Sequence, residues 1–187
     1  GSESFGGAVD SASLDIYTSA FISNETNGPD ALGGAVFGSV ITIADSTFDS
    51  NTTSDDEAHG GAVAASELDV TQSTFAGNSV AATDANGGAI HLFRNGFQAT
   101  ATINQSTFTR NVAGHQGGAI HAETDSQVPS ILTLENNIII GNVASGGGAD
   151  IHSQSLVRLG LNAIGNVVTT GSTSGSGTVI SPPPISV

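Results

Sequence analysis

"GGAVAASELDVTQSTFAGN", residues 60–78, begins with a Gly-Gly-Ala-Val tetrapeptide and ends with Phe-x-x-Asn. Both signals recur along the chain. The Gly pair starts at 6, 33, 60, 87, 117 and 147, giving steps of 27, 27, 27, 30 and 30 residues. Phe-x-x-Asn follows in phase at 21, 48, 75 and 108, and "IIGN" takes its place at 139. Self-similarity at a fixed period marks a repeat architecture, and it constrains every local assignment.

The columns of the repeat give the strands. Seven and five residues before each Phe-equivalent stand Leu14 and Ile16, Ile41 and Ile43, Leu68 and Val70, Ala101 and Ile103, Leu132 and Leu134, and Val157 and Leu159 before Ile164. Apolar residues two apart, with a mostly polar residue between them, define a strand with one buried face. Three short strands per repeat are expected: at the Gly-Gly-Ala segment, at the alternating segment, and at the Phe. No stretch carries a helical period. Strands this short need neighbours, and stacking repeat on repeat buries a continuous core. The expected fold is an all-β parallel β-helix of about six coils, its equivalent residues about 4.8 Å apart along the axis.

That frame assigns the motifs. Phe21, Phe48, Phe75 and Phe108 should stack inside, continued by Ile139 and Ile164. Asn24, Asn51, Asn78, Asn111 and Asn142 should form a corner ladder, with Asn166 in the last coil. The Gly pairs suit a corner with φ > 0 or with no room for a side chain.

Composition narrows the function. The chain has 187 residues, no Cys, Met or Trp, three basic and 17 acidic residues, and a net charge of −14. Nucleic-acid binding is excluded as an expectation, because phosphate contacts need basic side chains. Direct membrane insertion by this fragment is not expected either. Residues 1–2, Gly-Ser, look like a tag remnant, 3–168 form the repeat domain, and the Gly/Ser/Thr- and Pro-rich stretch 169–187 is a cap or linker.

Gly-Gly-Ala-(Val/Ile) alternating with Phe-x-x-Asn, from residue 6 to about 142, resembles the repeats of polymorphic outer membrane proteins. The segment "GGGADIHSQSLVRLGLNAIGN", 146–166, is similar to the closing coils of bacterial β-helix surface proteins. The resemblance implies a right-handed parallel β-helix of autotransporter-passenger type, extracellular or at the bacterial outer membrane. It also implies adhesion to a protein or glycan receptor, self-association or surface display, with a membrane barrel elsewhere in the polypeptide. Members are often rich in Cys, and this chain has none.

Three alignments mark candidate sites. Glu3, Asp30, Glu57 and Asp84 stand three residues before successive Gly pairs, a row of like charges that calcium would neutralise. No cofactor is otherwise required. His91 and His121 directly follow Gly-Gly-Ala-Ile, and His152 follows one residue later; an outward row of imidazoles there could ligate a transition metal, with Asp150 as a further ligand. The same coils carry the longest insertions, "GGAIHLFRNGFQATA" (87–101) and "GGAIHAETDSQVPSIL" (117–132). Loops on a rigid scaffold are where binding concentrates. Phe93, Arg94, Asn95 and Phe97, with Glu123, Asp125 and Gln127, are the expected ligand-binding surface. No catalytic residue is assigned. The enzymatic alternative, a polysaccharide-active β-helix or a glycan-binding module, would draw on the alternating row Asp15, Thr42, Asp69.

The sequence-level expectation is therefore a structural and adhesive β-helix segment of a bacterial surface protein.

Overall fold

The computed structural model describes residues 4–55, 57–123 and 128–180. Among them there is no helix, and each strand pairs in parallel with its equivalents in neighbouring coils. The result is a parallel β-solenoid of about six coils built from three sheets.

The first sheet joins two of the expected strands. Val36–Ala44 and Val63–Thr71 are continuous nine-residue strands running from the Gly-Gly-Ala segment through the alternating segment. In the next coils the insertions divide the same path into Ile90–Leu92 and Thr100–Asn104, and into Ile120–Ala122 and Ile131–Glu135. Register follows the columns: Ile16, Ile43, Val70, Ile103 and Leu134 are successive partners, and all five are buried.

The second sheet carries the Phe column. Phe21, Phe48, Phe75 and Phe108 stack with ring centroids 4.8, 4.7 and 4.7 Å apart and planes within 5°. Ile139 and Ile164 continue the column, in register and fully buried. Each buried Phe contributes roughly 2–3 kcal/mol of apolar burial. The rings also hold consecutive coils at a fixed spacing.

The third sheet consists of strands that the periodicity does not reveal: Glu25–Asn27, Thr52–Ser54, Ser79–Val80, Val112–Ala113 and Val143–Ala144. Two or three residues are too few to show alternation, and two of the inward residues are polar. Thr26 and Thr53 are buried, and their hydroxyls donate to the Gly33 and Gly60 carbonyls at 2.9 and 2.8 Å. That bond cancels the cost of burying the hydroxyl.

Two side-chain ladders close the corners. In the first, the N–H and Nδ2 of Asn24, Asn51, Asn78 and Asn111 donate to Oδ1 of the Asn one coil on, at 2.8–3.0 Å. Asn166 does not complete this ladder. Asn142 instead donates to Asp150 Oδ1, and the Asn166 N–H donates to Asp150 Oδ2 at 2.7 Å. In the second ladder, the N–H groups of Ser19, Ser46 and Ser73 donate to the next Ser hydroxyl, and Ser106 and Asn137 donate to Asn137 and Asn162.

The glycines of each pair have different reasons. The first adopts positive φ, 68° at Gly33 and 71° at Gly60. The second lies against the next coil: a Cβ on Gly34 would collide with the Gly61 carbonyl.

The last coil differs from the column count. Gly148, rather than Gly147, occupies the first-glycine position, since Gln116 bridges Gly147 and Ile120 pairs with Ile151. Leu132 pairs with Leu156 and Leu134 with Arg158, so the expected Val157 and Leu159 are displaced by one. Leu156 is buried and Leu159 is exposed. An extra residue at the Gly160–Asn162 corner restores Ile164 to the Phe column, which is why counting back from Ile164 misplaces the strand. Pairing continues past 168, through Val167–Thr169, Thr173–Ser174 and Thr178–Ile180.

Candidate functional site

Three columns of the repeat meet in one cleft of about 740 Å³ beside the first sheet. The first column is the residue before each Gly pair: Phe5, Leu32 and His59 are bridge partners, and Asn86 follows. The second is the residue after each Gly-Gly-Ala-(Val/Ile): Asp10, Phe37, Ala64, His91, His121 and His152 are partners in order. The third is the acidic row. Asp30, Glu57 and Asp84 are exposed and line the cleft, while Glu3 lies outside the described residues.

Ala64 makes the cleft possible. Its methyl group leaves space between Phe37 and His91 that larger neighbours fill from other elements. Phe93, from the insertion two coils beyond Phe37, stacks on Phe37 at 5.3 Å and 10°, and Phe5 stacks on the other side at 4.5 Å. His59 stacks on His91 at 4.5 Å. Above it the column runs through His121 and His152, each step 5.2 Å.

This column is not the exposed row expected from the alternation. His91, His121 and His152 are 1, 6 and 4 % exposed. Both faces of Ile90–Leu92, Ile120–Ala122 and Ile151–Ser153 are buried. The stacked rings shield one another, which a per-strand alternation rule cannot register. Nor does Asp150 join them, since its carboxylate is committed to Asn142 and Asn166. Among the described residues no group of three or more His, Asp or Glu side chains comes together to hold a metal ion.

The electrostatics of the cleft follow from burial. His59 is lowered to about 4, by burial first and by His91 second. Its Nδ1 accepts the Asn86 N–H at 3.1 Å, and Asn86 Oδ1 accepts the Gln116 N–H at 3.1 Å. Burial likewise lowers His121, aided by His91 and His152, and lowers His152, aided by His115. Burial alone would raise the Glu123 carboxyl; contact with His91 and the Arg94 N–H outweighs it and holds the group below its ordinary value. Glu123 Oε2 accepts the Arg94 N–H at 3.0 Å, and Oε1 lies 3.4 Å from His91 Nε2. The walls are therefore negative over a largely neutral floor. Unit charges about 5 Å apart repel by roughly 1 kcal/mol in water and about 3 at an effective dielectric of 20, so the acidic row favours a neutralising occupant.

The expected loop surface divides. The insertions do touch, through Arg94 with Glu123 and through Gln98 Nε2 donating to the Pro129 carbonyl at 2.7 Å. Phe93 and Glu123 line the cleft, whereas Asn95 and Phe97 line a separate groove of about 300 Å³ with Val40 and Glu67. Phe97 is 82 % exposed. Asp125 and Gln127 lie outside the described residues. Asp69 and Thr42 line a small pocket of about 160 Å³. Phe5, Leu32, Phe37 and His59 are the cleft residues that a reading of the insertions passes over. The column before the Gly pair, read downward, contains three of them.

The family model of the Chlamydia polymorphic membrane protein repeat matches residues 105–123, the span from the Phe108 motif through the fifth Gly pair to Glu123. No curated protein and no solved structure matches the chain significantly. The solenoid makes this a β-helix repeat protein, and the match over 105–123 makes its repeat similar to that of the polymorphic membrane proteins. That type fits a surface or autotransporter-passenger segment associated with an outer membrane.

Proposed function

We propose that this segment is an extracellular adhesive module and that the cleft receives a ligand carried on another cell's surface. The supporting observation is the convergence of an aromatic stack, a histidine column and an acidic row in one cleft. A solenoid that needed only to be a spacer would have no use for an alanine gap bridged by aromatic rings from other coils. The match to a surface-protein repeat supports this reading, since a module of that kind would meet cell-surface ligands.

Particles coated with the chain and applied to cultured cells test this reading. Phe93→Ala should lower adhesion several-fold, with the melting temperature of each variant recorded beside it. Phe97→Ala, in the neighbouring groove, should leave adhesion unchanged. Loss of adhesion with Phe97→Ala but not with Phe93→Ala would reject the cleft as the binding site.

A further inference from the structure

Resting on the reading that the cleft binds a ligand, we infer that its ligand is a linear oligocation with ammonium groups joined by short alkyl chains, of which spermidine and spermine are the simplest examples. The first argument is the distribution of charge. Asp30, Glu57 and Asp84 come from consecutive coils, and the Phe48–Phe75 stack sets the coil spacing at 4.7 Å. Among the described residues none of the three carboxylates has a hydrogen-bond or salt-bridge partner. They do not converge on a point, and no three acidic or imidazole groups among the described residues surround one centre. A compact ion meets them one at a time. A chain of ammonium groups meets them in series.

The opposite wall suits the spacers. Phe5, Phe37 and Phe93, from the first, second and fourth coils, stack face to face as an apolar strip that lines the cleft together with the acidic row. Methylene groups lie well on such a strip. The floor adds no competing positive charge, because His59 accepts a backbone N–H at Nδ1 and is neutral at pH 7.

An independent observation comes from His91. Its Nε2 is buried without a hydrogen-bond partner, on a side chain 1 % exposed that lines the cleft. Its Nδ1 is engaged with His121 Nδ1 at 3.2 Å. In the unliganded tautomer His91 Nε2–H faces Glu123 Oε1 across 3.4 Å, the contact that lowers the carboxyl; with the ring protons shifted to His91 Nδ1 and His121 Nε2, His91 Nε2 and Glu123 Oε1 become two acceptors facing one space. A terminal ammonium, with three N–H donors and no acceptor, satisfies both at once. The absence of Lys and the net charge of −14 add long-range attraction for such a ligand.

Isothermal titration of the intact chain with spermine tests the inference. One molecule should bind per chain. Asp30→Asn/Glu57→Gln/Asp84→Asn should weaken binding by at least about tenfold, and His91→Phe, which keeps the ring stack, should weaken it as well. Asp15→Asn/Glu67→Gln/Asp69→Asn removes the same charge outside the cleft and should change affinity by no more than about twofold. Equal weakening by both triple variants would mean diffuse counter-ion binding and would overturn the inference. So would calcium, rather than spermine, raising the melting temperature through the acidic row, or a neutral oligosaccharide binding the cleft regardless of that row. If spermine fails to bind while Phe93→Ala still abolishes adhesion, the ligand class is wrong and the cleft assignment stands. If spermine binds in the cleft and adhesion is indifferent to Phe93, the adhesive reading fails alone.

Discussion

His91 and His121 place their Nδ1 atoms 3.2 Å apart with ring planes parallel. Two N–H groups cannot face each other at that distance, so one nitrogen donates and the other accepts, and the pair shares one proton between the two sites. His59 and His152 extend the stack on either side. A charge on any ring would lie against its neighbours in a site that water barely reaches.

Stability should therefore fall with acidification. His59 drops from an ordinary 6.5 to about 4 on folding, and His121 and His152 also drop, so the unfolded chain binds more protons as pH falls below 6.5. Stability then rises with pH across that window, by up to about 1.4 kcal/mol per pH unit for each group, and levels off near neutrality. Glu123 acts in the same sense at lower pH: its folded value lies below the ordinary 4.5, so its contribution is lost as pH falls through that folded value. Melting temperatures between pH 7.5 and 4 should decline below about 6.5, and His121→Phe should flatten the decline. A midpoint independent of pH down to 4.5 would contradict the neutral column.

Asn78 is the centre of the first corner ladder. Its Oδ1 accepts both the N–H and Nδ2 of Asn51, and its Nδ2 donates to Phe48 O and Asn111 Oδ1, all within 3.0 Å. Asn78→Ala strands donors and acceptors in two neighbouring coils and should cost about 2–4 kcal/mol. Asn24→Ala, at the ladder's exposed end, should cost much less. Chemical denaturation of the two variants measures the difference.

The ladders also show where the periodicity was sufficient and where it was not. Phe, Asn and the paired Gly recur as whole letters at one offset, so their columns could be read directly, and Phe48 on Phe75 or Asn51 on Asn78 follow from the period alone. Ser46, Ser73 and Ser106 recur just as faithfully two residues before Phe. Their hydroxyl ladder stayed hidden because Ser is common in turns and carries little signal. The last coil failed for another reason: an extra corner residue and a third glycine shift the register in opposite places, and only backbone pairing reveals it.

The cleft was half legible. The acidic row, the histidines and Phe93 were each visible as alignments, but as three separate features. Their meeting depends on Ala64, whose small size lets Phe93 reach Phe37 and His59 reach His91. A missing side chain leaves no motif. The burial of the histidines carries no signal in the sequence, because it is supplied by rings in other coils rather than by anything in the strand itself.

Asp150 replaces an Asn at the end of the ladder, and its two oxygens face different donors. Oδ1 takes Asn142 Nδ2 and Oδ2 takes the Asn166 N–H. Asp150→Asn keeps one acceptor but turns an amide NH₂ toward the Asn166 N–H or toward Asn142, so it should destabilise by about 1–3 kcal/mol. Asp150→Ala should cost more. If Asp150→Asn melts with or above the parent, the carboxylate is not what terminates the ladder.

Two glycines separate close packing from backbone conformation. A Cβ on Gly61 would collide with the Gly88 carbonyl and come against the Ser79 backbone. All of these are main-chain atoms, which no rotamer change can move aside. Gly61→Ala must therefore push two coils apart, and the strain spreads to the Phe and Asn columns that depend on their spacing; we expect loss of the cooperative melt and of soluble yield. Gly96 has φ +74 but nothing within reach of an added Cβ, because it lies in the exposed insertion. Gly96→Ala should cost only the left-handed backbone penalty, roughly 1–2 kcal/mol at most. The insertion can relax much of that without disturbing the first sheet. Circular dichroism melts of both variants should thus differ in kind, an absent transition against a slightly lowered one. Two similar, mild shifts would mean that the paired glycines are conformational devices only, and that the coils are not held apart by carbonyl contact.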